Sequence, residues 1–267
     1  MKANIEALRF LVPLAVAIAA LQGCGGHDGD SASPQPTPTG DANPAGLWRG
    51  SFSAADGNVR GFDVIAAPDG LFVGIVESTG LNGRFLIGNG DTSLNAFTAT
   101  GTVFSQAGEA LLPNGQQSAA LTVSNGSIVT GQSLKGSYSG AGESASFSLE
   151  YNGLTSRGAS LAAISGVYDV YPPPIVIDVT LVINGSTLTF ATNGGCNGAG
   201  TIAVIDPTMN VYSWSMELSA CGGVEGDKFS GLATLADNPR KGGTGNLIAL
   251  YGATEDQDRS FVFRGAK

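Results

Sequence analysis

The chain has little charge of either sign. Only 13% of its 267 residues are charged, against roughly 25% in ordinary soluble domains. The formal net charge is −9, with 13 Lys and Arg against 22 Asp and Glu. Gripping nucleic-acid phosphates requires clustered Lys and Arg, so nucleic acid is not an expected partner. The polar surface must instead come from Ser, Thr, Asn and the 40 glycines, a composition that favours β-structure over helices.

Histidine is scarcer still. The single histidine, His27, lies in the segment 25–45, which has no aromatic residue and no aliphatic side chain larger than Ala. Such a segment cannot bury enough apolar surface to fold, which predicts a flexible tether. Ser-His-Asp and Cys-His catalysis both need a histidine in the folded part. We therefore expect no enzyme, no catalytic residue and no cofactor.

Acidic residues give no clear catalytic or metal-binding pattern. Several of them lie in predicted strands and are interpreted as solvent-facing: Asp63, Glu77, Glu143, Asp169 and Asp178. The cluster of Glu255, Asp256 and Asp258 lacks the regular ligand spacing of a calcium loop, so it is predicted to be a solvated hairpin tip, and no metal site is expected.

The N-terminus has the order of a secretory signal peptide. Lys2 and Arg9 precede an apolar run over residues 10–21, which is too short for a bilayer-spanning helix of about 20 residues. The sequence Leu21-Gln22-Gly23-Cys24 that follows resembles the lipobox of bacterial lipoproteins. The resemblance implies a signal peptide over residues 1–23, acylation of Cys24 including palmitate, and a tether over residues 24–45.

The same resemblance implies a location. Gly25 stands where an Asp would retain an enterobacterial lipoprotein in the inner membrane. The expected location is therefore the outer membrane, with the chain bound to it through the lipid anchor. Whether the folded part faces the periplasm or the cell exterior stays open.

The other two cysteines, Cys196 and Cys221, are expected to pair in an oxidising compartment. A bridge between them would close a loop of about 26 residues and contribute roughly 3–4 kcal/mol of stability. A two-cysteine metal site would need further His or Cys ligands nearby, and the sequence has none there.

Alternation of apolar and polar residues dominates the rest of the chain, as in Phe97, Ala99 and Val103 against Thr98 and Thr100. This period of two is the pattern of strands with one buried face. We predict an all-β fold with two tandem small antiparallel barrels or sandwiches of about eight short strands each; one continuous sandwich is the alternative. The predicted first β-domain spans 46–155, a linker 156–165, and the second β-domain, which holds the disulfide, 166–267.

Turn residues separate the predicted strands. Asn-Gly pairs favour the positive φ of tight hairpin turns, and Asp56-Gly57 and Asp69-Gly70 serve likewise. Eight Asn-Gly pairs are therefore predicted as turns; they begin at Asn82, Asn89, Asn114, Asn125, Asn152, Asn184, Asn193 and Asn197.

Three families share short patterns with the chain. Gly46-x-Trp48-x-Gly50, the Ala159–Ala162 linker and the Gly195-Cys196 turn resemble segments of uncharacterised two-domain proteobacterial lipoproteins. The Gly-Cys-Asn turn with a second cysteine 25 residues on is similar to META-domain lipoproteins, and Trp48-Arg49-Gly50 is similar to the start of barrels that bind host proteins. These resemblances imply an exported β-protein and transfer no catalytic residue.

The leading functional hypothesis is a lipid-anchored protein of the cell envelope with a non-enzymatic binding or scaffolding role. One alternative is a carrier that encloses a small apolar ligand in a β-barrel. The other is a surface-exposed adhesin or host-protein binder.

Overall fold

Two closed antiparallel barrels follow one another along the chain. The structure, a computed structural model, describes residues 40–77, 83–105, 110–170, 179–238 and 243–267. The signal peptide, Cys24, His27 and Asp178 lie outside the described residues. The barrel architecture confirms the predicted all-β fold and excludes the single continuous sandwich.

In barrel 1 each strand pairs with the next along the chain, and the last pairs with the first. Its strands are β1 Gly46–Ala54, β2 Val59–Ala66, β3 Leu71–Val76, β4 Arg84–Ser93, β5 Ala96–Ser105, β6 Ser118–Val129, β7 Ser133–Gly140 and β8 Glu143–Tyr151.

Barrel 2 repeats this up-and-down order. Its strands are β9 Gly166–Val170, β10 Val179–Asn184, β11 Thr187–Thr192, β12 Asn197–Val204, β13 Tyr212–Ser219, β14 Lys228–Asn238, β15 Gly243–Thr254 and β16 Ser260–Ala266. A 3-10 helix, Gly153–Arg157, and a short helix α1, Leu161–Ile164, lie between the barrels, and a second 3-10 helix, Gly222–Val224, follows β13.

The alternation in sequence becomes an inside and an outside for each barrel. Phe97, Ala99 and Val103 are buried in the core of barrel 1, and Tyr212, Trp214 and Met216 are buried in that of barrel 2. Successive side chains of a strand point to opposite faces of the sheet, so the apolar phase of each strand fills its barrel. Burial of these side chains is the main source of stability, at about 25 cal/mol per Å² of apolar surface.

The turn predictions are correct in part. Asp56-Gly57, Asp69-Gly70 and Asn114-Gly115 lie in turns, Gly185 follows Asn184 at the β10–β11 turn, and Asn193-Gly194 precedes Cys196 in a turn.

Other Asn-Gly predictions are wrong. Asn89 and Asn197 lie within strands β4 and β12, and Asn152 caps the 3-10 helix. Asn125 has φ 51° inside β6, where the register with its neighbours shifts by a β-bulge. At this bulge Asn125 has the same positive φ that a tight hairpin turn requires, so the dipeptide alone does not distinguish the two. Asn82 lies outside the described residues.

A tight turn occurs where no Asn-Gly pair marked it. Ala141 and Gly142 join β7 to β8 with φ of 58° and 81°. Positive φ at both central residues is the type I′ pattern, and it is strained for Ala141. Ala141 nevertheless packs into the core of barrel 1, which compensates for that strain.

The two barrels share an apolar interface. Outward-facing residues of β2, β3 and β4 pack against outward-facing residues of β14 and β15; this cluster includes Ile65, Ile75, Phe85, Leu232 and Tyr251. The rings of Phe85 and Tyr251 stack with centroids 6.4 Å apart. The barrels are therefore joined through a buried core of their own as well as through the linker.

Buried hydrogen bonds connect the linker to both barrels. Thr155 is 1% exposed; its Oγ1 accepts a hydrogen bond from the Leu47 backbone N–H at 2.8 Å, and its carbonyl accepts one from the Asn210 N–H at 2.9 Å. Arg157 forms a bidentate ion pair with Asp237, at 2.5 and 2.6 Å. Arg157 holds the pKa of Asp237 low, at about 2. These contacts fix the linker against barrel 1 at one point and barrel 2 at others.

The residues before β1 also pack onto barrel 1. We call residues 41–45 the arm; they belong to the segment that the sequence assigns to the tether. The Ala42 N–H donates to the Leu94 carbonyl, Asp41 accepts from the Leu94 N–H, and the indole of Trp48 donates to the Pro44 carbonyl at 2.8 Å. Ala42 is buried in the barrel core, so the packed part of barrel 1 includes residues ahead of β1, which the sequence predicted to be flexible tether.

Candidate functional site

The predicted disulfide is present. Cys196 and Cys221 are bonded, with their Cα atoms 4.3 Å apart. Cys196 directly precedes β12 and Cys221 follows β13, and these strands are antiparallel neighbours with Asn197 opposite Ser219. The bridge thus joins two strand ends that already lie side by side, which makes its role structural. Cys24, the predicted lipidation site, lies outside the described residues.

A buried polar cluster lies at one end of barrel 1, which we call the mouth. Arg60, Arg84 and Glu143 occupy the inward phase at the starts of β2, β4 and β8, and Tyr138 lies near the end of β7. Arg84 Nε lies 4.0 Å from Glu143 Oε1. Burial raises the pKa of Tyr138, and the Glu143 carboxylate raises it further. Charged groups inside a barrel are costly unless they are paired, and Arg84 and Glu143 form an ion pair here without a hydrogen bond between Nε and Oε1.

An apolar cavity lies beyond this cluster in the same barrel. Its volume is about 30 Å³, and its lining includes Phe52, Phe62, Phe147 and the ring of Tyr138, with Pro44 of the arm at its edge. A cavity of roughly 150 Å³ accepts benzene, whereas a single water molecule needs about 10–15 Å³. A carried ligand of benzene size would therefore require these rings to move.

A groove beside the apolar interface is lined by residues of both barrels. Its volume is about 180 Å³. Barrel 1 contributes Arg49, Asp63 and Glu77, and barrel 2 contributes Tyr251 and Arg264. Leu154, Leu247 and Ala249 give it an apolar part. We call this the inter-barrel groove. Sites at domain interfaces that combine a few polar groups with an apolar floor are typical of small-ligand binding.

The barrel 1 wall of the groove is held by an ion pair. Arg49 and Asp63 are opposite each other on β1 and β2, and the guanidinium donates to both carboxylate oxygens at 2.7 and 2.9 Å. The hydrogen bond to Asp63 raises the pKa of Arg49. Because Asp63 is occupied by Arg49, the remaining acidic group on this wall is Glu77, which is exposed just after β3.

The barrel 2 wall presents an oriented guanidinium. Arg264 Nε donates to Tyr251 Oη at 2.8 Å, and the guanidinium carbon lies 5.7 Å from the centre of the same ring. Tyr251 is 7% exposed, and burial raises its pKa. The phenol therefore stays protonated well above neutral pH and fixes one edge of Arg264. Of the residues that the structure describes, none accepts a hydrogen bond from the two Nη atoms.

The acidic hairpin tip of barrel 2 is solvated. Glu255, Asp256 and Asp258 lie in the exposed turn between β15 and β16, and Thr254 donates to Asp258 at 2.9 Å. Arg259 pairs with Asp227 nearby. Within the described ranges, no group of three or more His, Cys, Asp or Glu side chains could hold a metal ion.

None of the groove or mouth residues is predicted to be functional from the sequence. Glu143 was expected to face solvent, and this is wrong: it shares the inward phase of Ala145, Phe147 and Leu149, and its side chain is 14% exposed. Because Glu143 alternates with these apolar residues, the sequence pattern already placed it on the inward face of β8. No sequence pattern indicates the groove, because it exists only where outward faces of the two barrels meet.

Comparisons with known proteins add no relative. No family model matches the chain, and neither the curated proteins nor the solved structures contain a match. Among the residues described, no helix has the length and apolar character needed to cross a bilayer. The fold and groove thus define a protein of two joined up-and-down barrels with a small polar site between them.

Proposed function

We propose that this chain is a lipid-anchored protein of the bacterial cell envelope that acts by binding a small ligand, without catalysis. The observation that carries the binding role is the inter-barrel groove, which combines an oriented guanidinium, a carboxylate and an apolar floor. The anchor rests on the lipobox at Leu21–Cys24 and on the tether that follows it. The outer membrane is the proposed location.

The joined barrels support this role physically. The apolar interface and the buried Thr155 hydrogen bonds hold the two groove walls in place before any ligand arrives. A preorganised site spends less binding free energy on ordering its own side chains. A rigid groove is therefore a better ligand site than two independently moving barrels would offer.

The anchor is tested in the full-length chain. Cys24→Ala should abolish incorporation of labelled palmitate and move the protein from the membrane fraction to the soluble fraction, because three acyl chains bind a membrane durably. His27→Ala, a change in the same tether, is the matched control and should behave as wild type. Labelled, membrane-bound Cys24→Ala protein would contradict the proposal.

The binding role is tested by filling the groove. Ala236 lines it, and Ala236→Trp should block it; Ala203→Trp makes the same change on the exposed face of β12, outside the groove. Saturation-transfer NMR with a library of small polar molecules should find compounds that bind wild type and Ala203→Trp but not Ala236→Trp. A library in which no compound distinguishes the two variants would refute a binding role for the groove.

Orientation separates the adhesin alternative from this proposal. Protease shaving of intact cells should leave the protein uncut if it faces the periplasm. Release of the barrels from intact cells would favour the surface-exposed host-protein binder.

A further inference from the structure

The groove carries opposite charges on its two walls. Arg264 projects from β16 of barrel 2, and Glu77 lies at the end of β3 of barrel 1. The other pair of charges in the groove, Arg49 and Asp63, is already joined by two hydrogen bonds. The groups left to meet a ligand are therefore one cation and one anion, one on the wall of each barrel.

Arg264 is arranged to accept a carboxylate. Its Nε is used by Tyr251, and the ring of Tyr251 lies beside the guanidinium. The two Nη groups at the far end still form a planar fork, which matches the two oxygens of a carboxylate. Because Tyr251 is packed in the barrel interface, the orientation of this fork is set by the fold.

Glu77 is arranged to accept a cation. Its backbone N–H donates to the Gly61 carbonyl at 2.9 Å, and its side chain lies across Gly61, where an added Cβ would be 2.5 Å from Glu77 Cδ. In the part of the chain that the structure describes, its carboxylate makes no hydrogen bond or ion pair within 4.0 Å; the nearby Arg49 is committed to Asp63. An ammonium group of a ligand would form an ion pair with this carboxylate.

The groove also has an apolar part and is small. Leu247 and Ala249 of β15 and Leu154 of the first 3-10 helix line it beside the charged groups, and the volume of about 180 Å³ admits a short chain of methylene groups. Each buried methylene contributes about 0.8 kcal/mol of transfer free energy. The three features together describe a ligand with a carboxylate at one end, an ammonium at the other and a short apolar body.

We infer that the inter-barrel groove binds a small zwitterion of this kind, with its carboxylate on Arg264 and its ammonium on Glu77. The inference rests on the proposed function, since it names the class of ligand that the groove accepts. It requires both charges: the carboxylate alone or the ammonium alone uses only one wall.

The test uses ω-amino acids as probes, measured by isothermal titration calorimetry on the purified barrels, residues 24–267, without lipid. The series 4-aminobutanoate, 6-aminohexanoate and 8-aminooctanoate varies the distance between the charges, and hexanoate and hexylamine each lack one of them. One zwitterion of the series should bind at least about tenfold more tightly than hexanoate or hexylamine, since a hydrogen bond to a charged group contributes about 1.5–3 kcal/mol.

Two substitutions assign the ends of the ligand. Arg264→Gln should weaken the best zwitterion about ten- to a hundredfold, and Arg264→Lys should recover only part of this because it lacks the fork. Glu77→Gln should reduce that zwitterion to the affinity of hexanoate and leave hexanoate unchanged. Both side chains belong to exposed residues, so their thermal unfolding should match wild type.

Arg259→Gln and Glu217→Gln, which remove the same charges outside the groove, are the matched controls and should not change binding. Equal affinity for hexanoate and every zwitterion, or an unchanged affinity in Glu77→Gln, would overturn the zwitterion. If no probe binds while the NMR library still yields ligands that Ala236→Trp excludes, this inference fails and the proposed function stands. If the library also yields none, both fail.

Discussion

Barrel 1 and barrel 2 have the same strand number and the same connectivity, but different contacts reinforce them. In barrel 1 the first and last strands pair from Trp48 opposite Tyr151 to Ala54 opposite Ala145. In barrel 2 β16 pairs with β9 at Asp169 opposite Ala266 and Val170 opposite Gly265, where the described part of β9 ends.

Barrel 2 has other contacts that hold its closing strands and its interior. Lys267 Nζ donates to the Ala163 carbonyl at 3.0 Å and lies 5.3 Å from the Tyr168 ring centre. Trp214 covers Gly252, and its indole donates to the carbonyls of Leu232 and Tyr251 at 3.1 and 3.3 Å. The comparison teaches that two barrels of the same architecture are reinforced differently: barrel 1 by the ladder between its first and last strands, and barrel 2 by a disulfide, a C-terminal contact and a tightly packed ring.

The largest effect is expected from the ring that fills barrel 2. Trp214→Ala should lower the free energy of unfolding by about 3–5 kcal/mol, because a large buried side chain leaves a cavity. Urea unfolding measures the change, and amide hydrogen exchange locates it. Trp214→Phe, which keeps a ring and loses the N–H, should cost less. An equal loss of protection from amide exchange in both barrels would show that they unfold as one unit, and the difference between the two barrels would then have no effect on stability.

Removing the disulfide should come next. Cys196→Ala with Cys221→Ala should cost about 3 kcal/mol, from the chain entropy regained by the unfolded loop. Exchange should increase in barrel 2 and leave β1–β8 of barrel 1 protected. Reduction of the wild-type protein is the independent check, and stability unchanged by both treatments would contradict a structural role for the bridge.

The next largest loss of stability is expected when a hydrogen bond of the segment between the barrels is removed. Thr155→Val keeps the shape but leaves the buried Leu47 N–H without its acceptor, at a cost of about 1–3 kcal/mol. Thr155→Ser keeps the hydroxyl and should recover most of it. If Thr155→Val leaves the urea midpoint unchanged, the linker does not hold barrel 1 in place.

A smaller difference in unfolding free energy is expected between substitutions of two buried tyrosines. Tyr168 Oη donates to the Ile164 carbonyl at 2.8 Å, whereas Tyr138 Oη has no hydrogen-bond partner among the described residues. Tyr168→Phe should therefore cost about 1 kcal/mol at neutral pH, and Tyr138→Phe about zero. Similar costs, measured by urea unfolding, would mean that the two phenols are equally satisfied.

The pH dependence of stability is a second way to test Tyr168. Burial raises the pKa of Tyr168 to about 12 from its ordinary value of 10. The unfolded state loses this proton first, so the stabilisation is fully present below pH 10 and is lost as the pH rises towards 12. Tyr168→Phe should make stability less dependent on pH over this range, as measured by unfolding at several pH values with absorbance at 295 nm.

Much of the fold could be predicted because strand alternation is a local property. Alternation over residues 59–66, 143–151 and 187–192 predicts a strand at each place, and β2, β8 and β11 span these same residues. Alternation over residues 128–138 predicts one further strand, and this is wrong, because a turn at residues 130–132 divides the segment between β6 and β7. Polar residues there continue the alternating pattern, and Gly131, with φ 66°, is the residue that marks the turn.

The candidate site could not be predicted in the same way. Arg264 and Glu77 lie far apart in the chain, and each follows the ordinary pattern of an outward polar residue on its own barrel. Their relation depends on how β2–β4 pack against β14 and β15, and no periodicity in either half encodes that packing. The disulfide could be predicted because the expected export of the chain and the number of its cysteines restrict the pairing.

The arm has a mechanical consequence. It leads directly into β1, which is paired along its length with both β2 and β8. A pull on the chain ahead of Gly40 would first load the contacts of Ala42 and Asp41 with Leu94 and then β1 along its own axis. Loaded this way, the flanking hydrogen bonds share the force instead of opening one by one. An anchor placed before the arm would therefore transmit its load to a strand that is hydrogen-bonded on both sides.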